Sequence, residues 1–321
     1  MATIGTDIKR AAELLEAGDV VAVPTETVYG LAANALNEAA VLKIFEVKQR
    51  PAFDPLIVHV GRTEDLEQVV RELPPGTQEL MAAFWPGPLT LVLPRHPAIP
   101  DLVTSGLDTV GVRMPAHPLT AELLQRLPFP LAAPSANPFG YVSPTTAQHV
   151  ADQLGSKIPY ILDGGPCTVG VESTIIAWGT SAPNMPQWTL YRPGGVPVEA
   201  IEALVGPLAL AATSPTPMAP GMLESHYAPR KTVHVGNVPA MLKRFAGRSV
   251  GVISFRDEYV AHRCEVLAPD GDLRQAARHL FAVLRELDGS DCDVILAEEF
   301  PNEGLGRAIN DRLRRAAAGR A

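Results

Sequence analysis

Ile8, Ala11, Ala12 and Leu15 repeat at the three- and four-residue spacing of one helical face, and Gly18 follows as a stop, so residues 7 to 17 are predicted to form an amphipathic helix. The apolar run Val20 to Val23 then reads as a strand, and Thr25-Glu26-Thr27-Val28-Tyr29-Gly30 falls on a loop just past its end. Further strands are expected at Leu56 to Val60, Thr90 to Leu93, Pro130 to Ala133, Tyr160 to Leu162, Thr174 to Trp178 and Trp188 to Tyr191. Helical stretches and turns rich in Gly and Pro separate them, the pattern of an α/β or α+β domain with a sizeable sheet over residues 1 to about 205.

From Gly206 to about residue 231 the pattern breaks. Pro207, Pro215, Pro217, Pro220 and Pro229 interrupt any helix or inner strand, so this stretch is predicted to be a linker. It nevertheless carries His226 and Tyr227, unusual chemistry for a passive spacer. Beyond it, strands expected at Thr232 to Val235, Ser249 to Ile253 and Val294 to Ala297 alternate with helical stretches near 238 to 246, 272 to 288 and 306 to 318. That alternation predicts a small second domain, residues 232 to 321, around a parallel sheet.

Composition changes the picture in three places. A chain of 321 residues exceeds what one core usually organises, which agrees with two domains. A net charge of -8 argues against a surface that grips nucleic acid throughout, so a polyanionic ligand must meet a local cluster of Lys and Arg. Cys167, Cys264 and Cys292 lie far apart with no short paired spacing, which suggests neither a zinc site nor a disulfide framework. The charged N-terminus is no signal peptide and no apolar run reaches membrane-spanning length, so a cytoplasmic protein without membrane contact is expected.

Candidate chemistry concentrates at strand and helix ends. Lys48 and Arg50 flank one residue at the end of a helical stretch that Pro51 stops; they can project toward one anion or simply cap a solvated helix end. Ser135 and Asn137, followed by Ser143, offer donors for phosphate or a purine edge, and equally the local bonds of an ordinary turn. Arg113, Arg192 and the Glu172-Ser173-Thr174 stretch each adjoin an apolar run, which puts them at the rim of the sheet. No Walker loop, dinucleotide fingerprint, nucleophile elbow or metal-ligand spacing is present.

Taken in order, Pro24-Thr25-Glu26-Thr27-Val28-Tyr29-Gly30-Leu31, Lys48-x-Arg50-Pro51, Pro55-Leu56-Ile57-Val58-His59, Trp85-Pro86-Gly87-Pro88-Leu89-Thr90, Val112-Arg113-x-Pro115 and Ser135-Ala136-Asn137 closely resemble the YrdC/Sua5 family. Pro220-Gly221-Met222, His226-Tyr227-Ala228-Pro229, Glu303-Gly304-Leu305-Gly306 and Arg312-Leu313 resemble its long, two-domain form. The resemblance implies a YrdC-like twisted open sheet with a concave, positively lined cavity, plus a small Rossmann-like C-terminal domain. It implies a nucleotidyltransferase that makes threonylcarbamoyl-adenylate from L-threonine, bicarbonate or CO2, and ATP, with pyrophosphate released, for N6-threonylcarbamoyladenosine modification of tRNA.

Carried over position by position, the resemblance puts Thr27, His59, Arg113, Ala133 and Ser173 at L-threonine, and Lys48 and Arg50 at the reaction centre. It puts Arg50, Asp54, Thr109, Ser135, Asn137, Ser143, Arg192 and Tyr227 at ATP. Asp54 departs from the pattern, since Asn is expected there and a carboxylate repels phosphate. Mg²⁺ is expected to arrive with ATP, and no organic cofactor or protein-bound metal is implied. The linker is expected to close over the cavity as a lid, and the product to pass to a tRNA threonylcarbamoyl-transferase, with no requirement for direct tRNA binding. Two other readings remain at this stage: a non-catalytic module for double-stranded RNA, and a carbamoyl-adenylate-forming enzyme.

Overall fold

A computed structural model describes residues 1–179, 188–211, 217–223 and 225–319. Pro215 and Glu224 of the linker lie outside them. The chain runs β1 (Thr3–Gly5), α1 (Ile8–Glu16), β2 (Val21–Val23), β3 (Gly30–Asn34), α2 (Glu38–Lys48), β4 (Ile57–His59) and, after a 3-10 turn, α3 (Thr77–Phe84). It continues through β5 (Leu89–Pro94), α4 (Asp101–Thr104), β6 (Thr109–Arg113), α5 (Pro118–Arg126), β7 (Leu131–Ala132), α6 (Ala147–Leu154) and β8 (Tyr160–Leu162). The first unit ends with β9 (Thr174–Trp178), β10 (Trp188–Arg192), α7 (Val198–Val205) and β11 (Ala209–Leu210). After the linker come β12 (Val233–Val235), α8 (Val238–Arg244), β13 (Val250–Ser254), β14 (Arg263–Val266), α9 (Leu273–Gly289), β15 (Val294–Ala297) and α10 (Gly306–Ala317).

The first unit is built on one mixed sheet in the order β1-β8-β2-β3-β7-β4-β6-β5-β9-β10-β11. Because β11 pairs with β10, this sheet reaches beyond the boundary expected near residue 205. Its strands are short and mostly buried, which explains why they read as plain apolar runs. Helix α1 starts where Asp7 accepts a bond from the Arg10 N–H (3.1 Å) and buries Ala11, Ala12 and Leu15, the face its spacing predicts. In the second unit, the order β12-β15-β13-β14 is parallel throughout.

The two units share a core. Val28, Val142 and Val171 of the first pack in one cluster with Phe281, Leu284 and Ile309 of the second, and with Tyr227 of the linker. Helix α9 comes so close that a Cβ on Gly170, which has a φ of +80°, would lie 2.3 Å from the Arg278 Cα. Only glycine suits that position. Across the same interface Arg285 donates to the carbonyls of Val142 and Ser143, and Tyr141 and Arg230 both meet the buried Asp288.

Candidate active site

The elements above converge on a cavity of about 540 Å³, counted out to its mouth. Strand β4 presents Ile57 and His59, two residues apart and therefore on one face of the sheet. The parallel register of β4 and β6 sets His59 beside Arg113. The loop after β2 adds Thr25 and Thr27, the turn after β7 adds Ala133 and Ser135, and the approach to β9 adds Glu172 and Ser173. Arg50, Arg192 and the linker residues Pro220, Gly221, His226 and Tyr227 complete the wall.

Buried arginines are expensive unless paired, and each pairing here shapes the cavity. Arg113 is tied to Glu26 Oε1 at 2.6 Å and donates to Thr27 Oγ1 at 2.9 Å and to the Gly87 carbonyl at 3.1 Å. Arg50 leaves helix α2 because Gln49, with φ +54°, closes that helix in a left-handed turn. Its guanidinium then meets Asp54 Oδ2 at 2.8 Å and the carbonyls of Asp54 and Pro55 at 3.0 and 2.8 Å. Arg192 differs: it donates to the Ser173 carbonyl (3.0 Å), the Ser173 hydroxyl (3.2 Å) and the Pro220 carbonyl (3.0 Å), and among the described residues it has no carboxylate within ion-pair reach.

Among the described residues, two polar groups in the wall have no hydrogen-bond partner. The Tyr227 hydroxyl and His226 Nδ1 are buried without a hydrogen bond. A Cβ on Gly221 would lie 2.4 Å from that hydroxyl, so the backbone there must be glycine for Tyr227 to reach the cavity. Unpartnered polar groups beside a guanidinium with no carboxylate in ion-pair reach among the described residues are what an anionic, hydroxyl-rich ligand would satisfy.

Of the residues that the sequence singles out, Thr27, Arg50, His59, Arg113, Ala133, Ser135, Ser173, Arg192 and Tyr227 line one cavity. Five expected residues do not. Lys48 is turned away and spends its ammonium on the carbonyls of Ser135 and Asn137, each at 2.5 Å. Burial, then the neighbouring Arg50, pushes its pKa far below the usual lysine value. In this position it ties down the turn that presents Ser135. Asn137 holds the same turn through the carbonyls of Pro138 and Tyr141, and Ser143 donates to Glu172 Oε1 at 2.6 Å. Asp54 stands behind Arg50, away from the cavity. Thr109 lines a second cleft of about 260 Å³ that adjoins the first at Ile57 and Pro220.

Three residues that the sequence places in motifs or at the sheet rim, but to which it assigns no ligand, belong to the site: Glu26, Glu172 and Arg312. Arg312, on α10 of the second unit, reaches Glu172 Oε2 at 2.7 Å and lies 5.0 Å over the Tyr227 ring. Burial alone would raise the Glu172 carboxyl, but Arg312 and Arg192 hold it below the usual range. The only hint in the sequence was a carboxylate directly beside a motif residue, because partners 140 positions apart leave no spacing signal.

Burial and then Arg113 push the His59 imidazole down to about 3, so it is neutral in the folded protein. Below its ordinary value of 6.5 the unfolded chain takes up a proton there that the folded chain refuses until about pH 3. Stability should therefore fall as pH drops through that window, by about 1.4 kcal/mol per unit for this residue. His59→Asn should flatten urea-unfolding stability between about pH 4.5 and 6 by one proton's worth; an unchanged slope would place the titration elsewhere.

Residues 13–194 match the family model described as "Telomere recombination", and residues 196–318 match the one described as "Threonylcarbamoyl-AMP synthase, C-terminal domain". Threonylcarbamoyl-AMP synthase of Pyrococcus abyssi is 44% identical, covering 96% of this chain and 93% of its own length. The enzyme of that name from Bacillus subtilis is 42% identical, covering 100% and 95%. A crystal structure of Pyrococcus abyssi Sua5 complexed with L-threonine superposes with a TM-score of 0.91 at 43% identity, covering 97% of this chain and 94% of that one.

Proposed function

Because the chain belongs to the YrdC/Sua5 family of threonylcarbamoyl-AMP synthases, in its long two-domain form, we propose that this cavity joins L-threonine, bicarbonate and ATP into threonylcarbamoyl-AMP. One observation carries the reading: three buried arginines line a single cavity, and among the described residues Arg192 has no carboxylate within ion-pair reach. Arg113, with Thr27, His59 and Ser173 beside it, takes the threonine carboxylate and hydroxyl in charge-assisted and neutral hydrogen bonds. Arg50, Arg192, Ser135 and the Tyr227 hydroxyl take the phosphates. The adenine enters the adjoining cleft, whose wall includes Ile57, Thr109, Val110 and Ile175, and where the buried Thr104 hydroxyl has no hydrogen-bond partner among the described residues.

In this arrangement bicarbonate takes up a proton and loses water to give CO2, and the threonine amine adds to that CO2, giving a carbamate and returning the proton. A carbamate oxygen then attacks the α-phosphorus and the bond to pyrophosphate breaks. The protein's contribution is to position the reactants and to meet the growing negative charge with cations fixed in advance. His59, held neutral, adds no competing positive charge beside Arg113. The carbamate and the product are both hydrolysed easily, so closure by the linker wall of Pro220, Gly221, His226 and Tyr227 keeps water out.

Magnesium fits this donor set only as a passenger on the triphosphate. Glu26, Asp54 and Glu172 are all engaged by arginines, and the one group of three potential metal ligands among the described residues, His262, Asp291 and Cys292, takes no part in the cavity. Bound to phosphate oxygens and water, the ion supplies charge neutralisation of the triphosphate. The adenylate is then passed to a tRNA-modifying transferase. Among the described residues no helix is long and apolar enough to cross a membrane.

Pyrophosphate release, followed while L-threonine and bicarbonate are omitted in turn, tests this function. Release that needs both supports it; release indifferent to threonine removes it.

A further inference from the structure

Arg50 faces the cavity with its guanidinium already clamped from behind. Its Nε donates to the Asp54 carbonyl (3.0 Å), and Nη2 meets both the Pro55 carbonyl (2.8 Å) and Asp54 Oδ2 (2.8 Å). The Asp54 side chain is wholly buried and lies outside the cavity lining, and among the described residues its carboxylate oxygens have no hydrogen bond, only the ion pair of Oδ2 with Arg50. Arg50, Lys48 and Arg192 are the cations that act on it. Glu26 serves Arg113 and Glu172 serves Arg312. Asp54 is therefore the carboxylate paired with Arg50, a contact made in a region closed to solvent.

A buried cation cluster needs a counter-charge at all times, whether or not a ligand is present. A carboxylate locked against the phosphate-binding guanidinium supplies it, and by doing so spends part of the attraction that a phosphate would otherwise receive. We propose that Asp54 is an internal stand-in for phosphate: a positioning residue that keeps Arg50 aimed at the cavity without ligand, and that lowers the affinity for the triphosphate of ATP. This rests on the assignment of Arg50 to the phosphates. It gives the carboxylate at this position a use that its repulsion of phosphate alone does not suggest. Burial raises the Asp54 carboxyl, and Arg50, Lys48 and Arg192 offset part of that rise.

The test compares Asp54→Asn, which keeps shape and removes charge, with the unaltered full-length protein. Pyrophosphate release is measured as a function of ATP and of L-threonine, and melting is followed with and without inorganic pyrophosphate. KM for ATP is expected to fall about tenfold while KM for threonine stays within about twofold. Melting without ligand should drop, and saturating pyrophosphate should raise the variant's Tm by more than it raises the unaltered protein's. That anion rescue reads the proposal even if the variant is too unstable to assay, because failure of pyrophosphate to restore it overturns the stand-in role. A raised KM for ATP would mean that the carboxylate helps bind the nucleotide, and an unchanged one that it has no coupling to the phosphates; either result overturns the proposal. If the unaltered protein shows no threonine-dependent release, the reaction assigned above fails instead, and the pyrophosphate titration still decides the role of Asp54.

Discussion

Arg113→Ala should bring threonine-dependent pyrophosphate release down by at least about thirtyfold in kcat/KM, with the loss concentrated in KM for L-threonine. Truncating one member of a buried charged pair costs about 2–5 kcal/mol, and here the same side chain also loses its bond to Thr27. Glu26, buried beside it, would be left without its cation, so melting should fall as well, on the order of 3–5 kcal/mol of stability. Arg113→Lys separates the two effects. It retains the charge that Glu26 requires and so recovers most of the stability, but a single ammonium cannot reproduce a guanidinium spread over Glu26, Thr27 and Gly87. KM for threonine should stay high in Arg113→Lys while the Tm returns. Equal KM values for the lysine variant and the unaltered enzyme would move threonine recognition away from Arg113.

Arg312→Ala should have an effect of similar size from outside the first unit. The side chain is completely buried and joins Glu172 (2.7 Å), Asp311 (2.5 Å) and the Pro193 carbonyl (3.1 Å), with the Tyr227 ring beneath it. Without it, Glu172 keeps the Ser143 bond but loses its cation, and Tyr227 loses the contact that turns it into the cavity. About 3–5 kcal/mol of stability is at stake, together with a loss on the order of a hundredfold in turnover. Pyrophosphate release and urea unfolding on the same preparation check it. A variant that loses stability yet turns over normally would confine the second unit to a structural role.

How much of this was legible in the sequence depended on the range of the interaction. Tyr160–Leu162, Thr174–Trp178 and Val294–Ala297 are buried strands, and their unbroken apolar runs announced them with correct ends. Thr3–Gly5 and Arg263–Val266 escaped because they lie at sheet edges, where half-exposed polar residues erase the signal. Gly30–Asn34 escaped because its small residues carry little strand preference of their own and are placed there by neighbours on both sides.

The site behaves likewise. Motif order located the wall residues, but the direction of a side chain is decided by distant atoms. Lys48 and Arg50 differ by two positions, and the left-handed turn at Gln49 sends one to backbone carbonyls and the other to the cavity. The pairs Arg113 with Glu26 and Arg312 with Glu172 join residues 87 and 140 positions apart, and only the folded chain brings them together.

The most direct test of the central claim is to identify the product. The purified protein is incubated with ATP, Mg²⁺, ¹³C-bicarbonate and ¹⁵N-threonine, and the nucleotide pool is read by mass spectrometry. The account predicts an AMP conjugate that carries one heavy carbon and one heavy nitrogen, formed in equal amount with pyrophosphate. AMP or ADP free of both labels, accumulating at the rate of ATP loss, would contradict it.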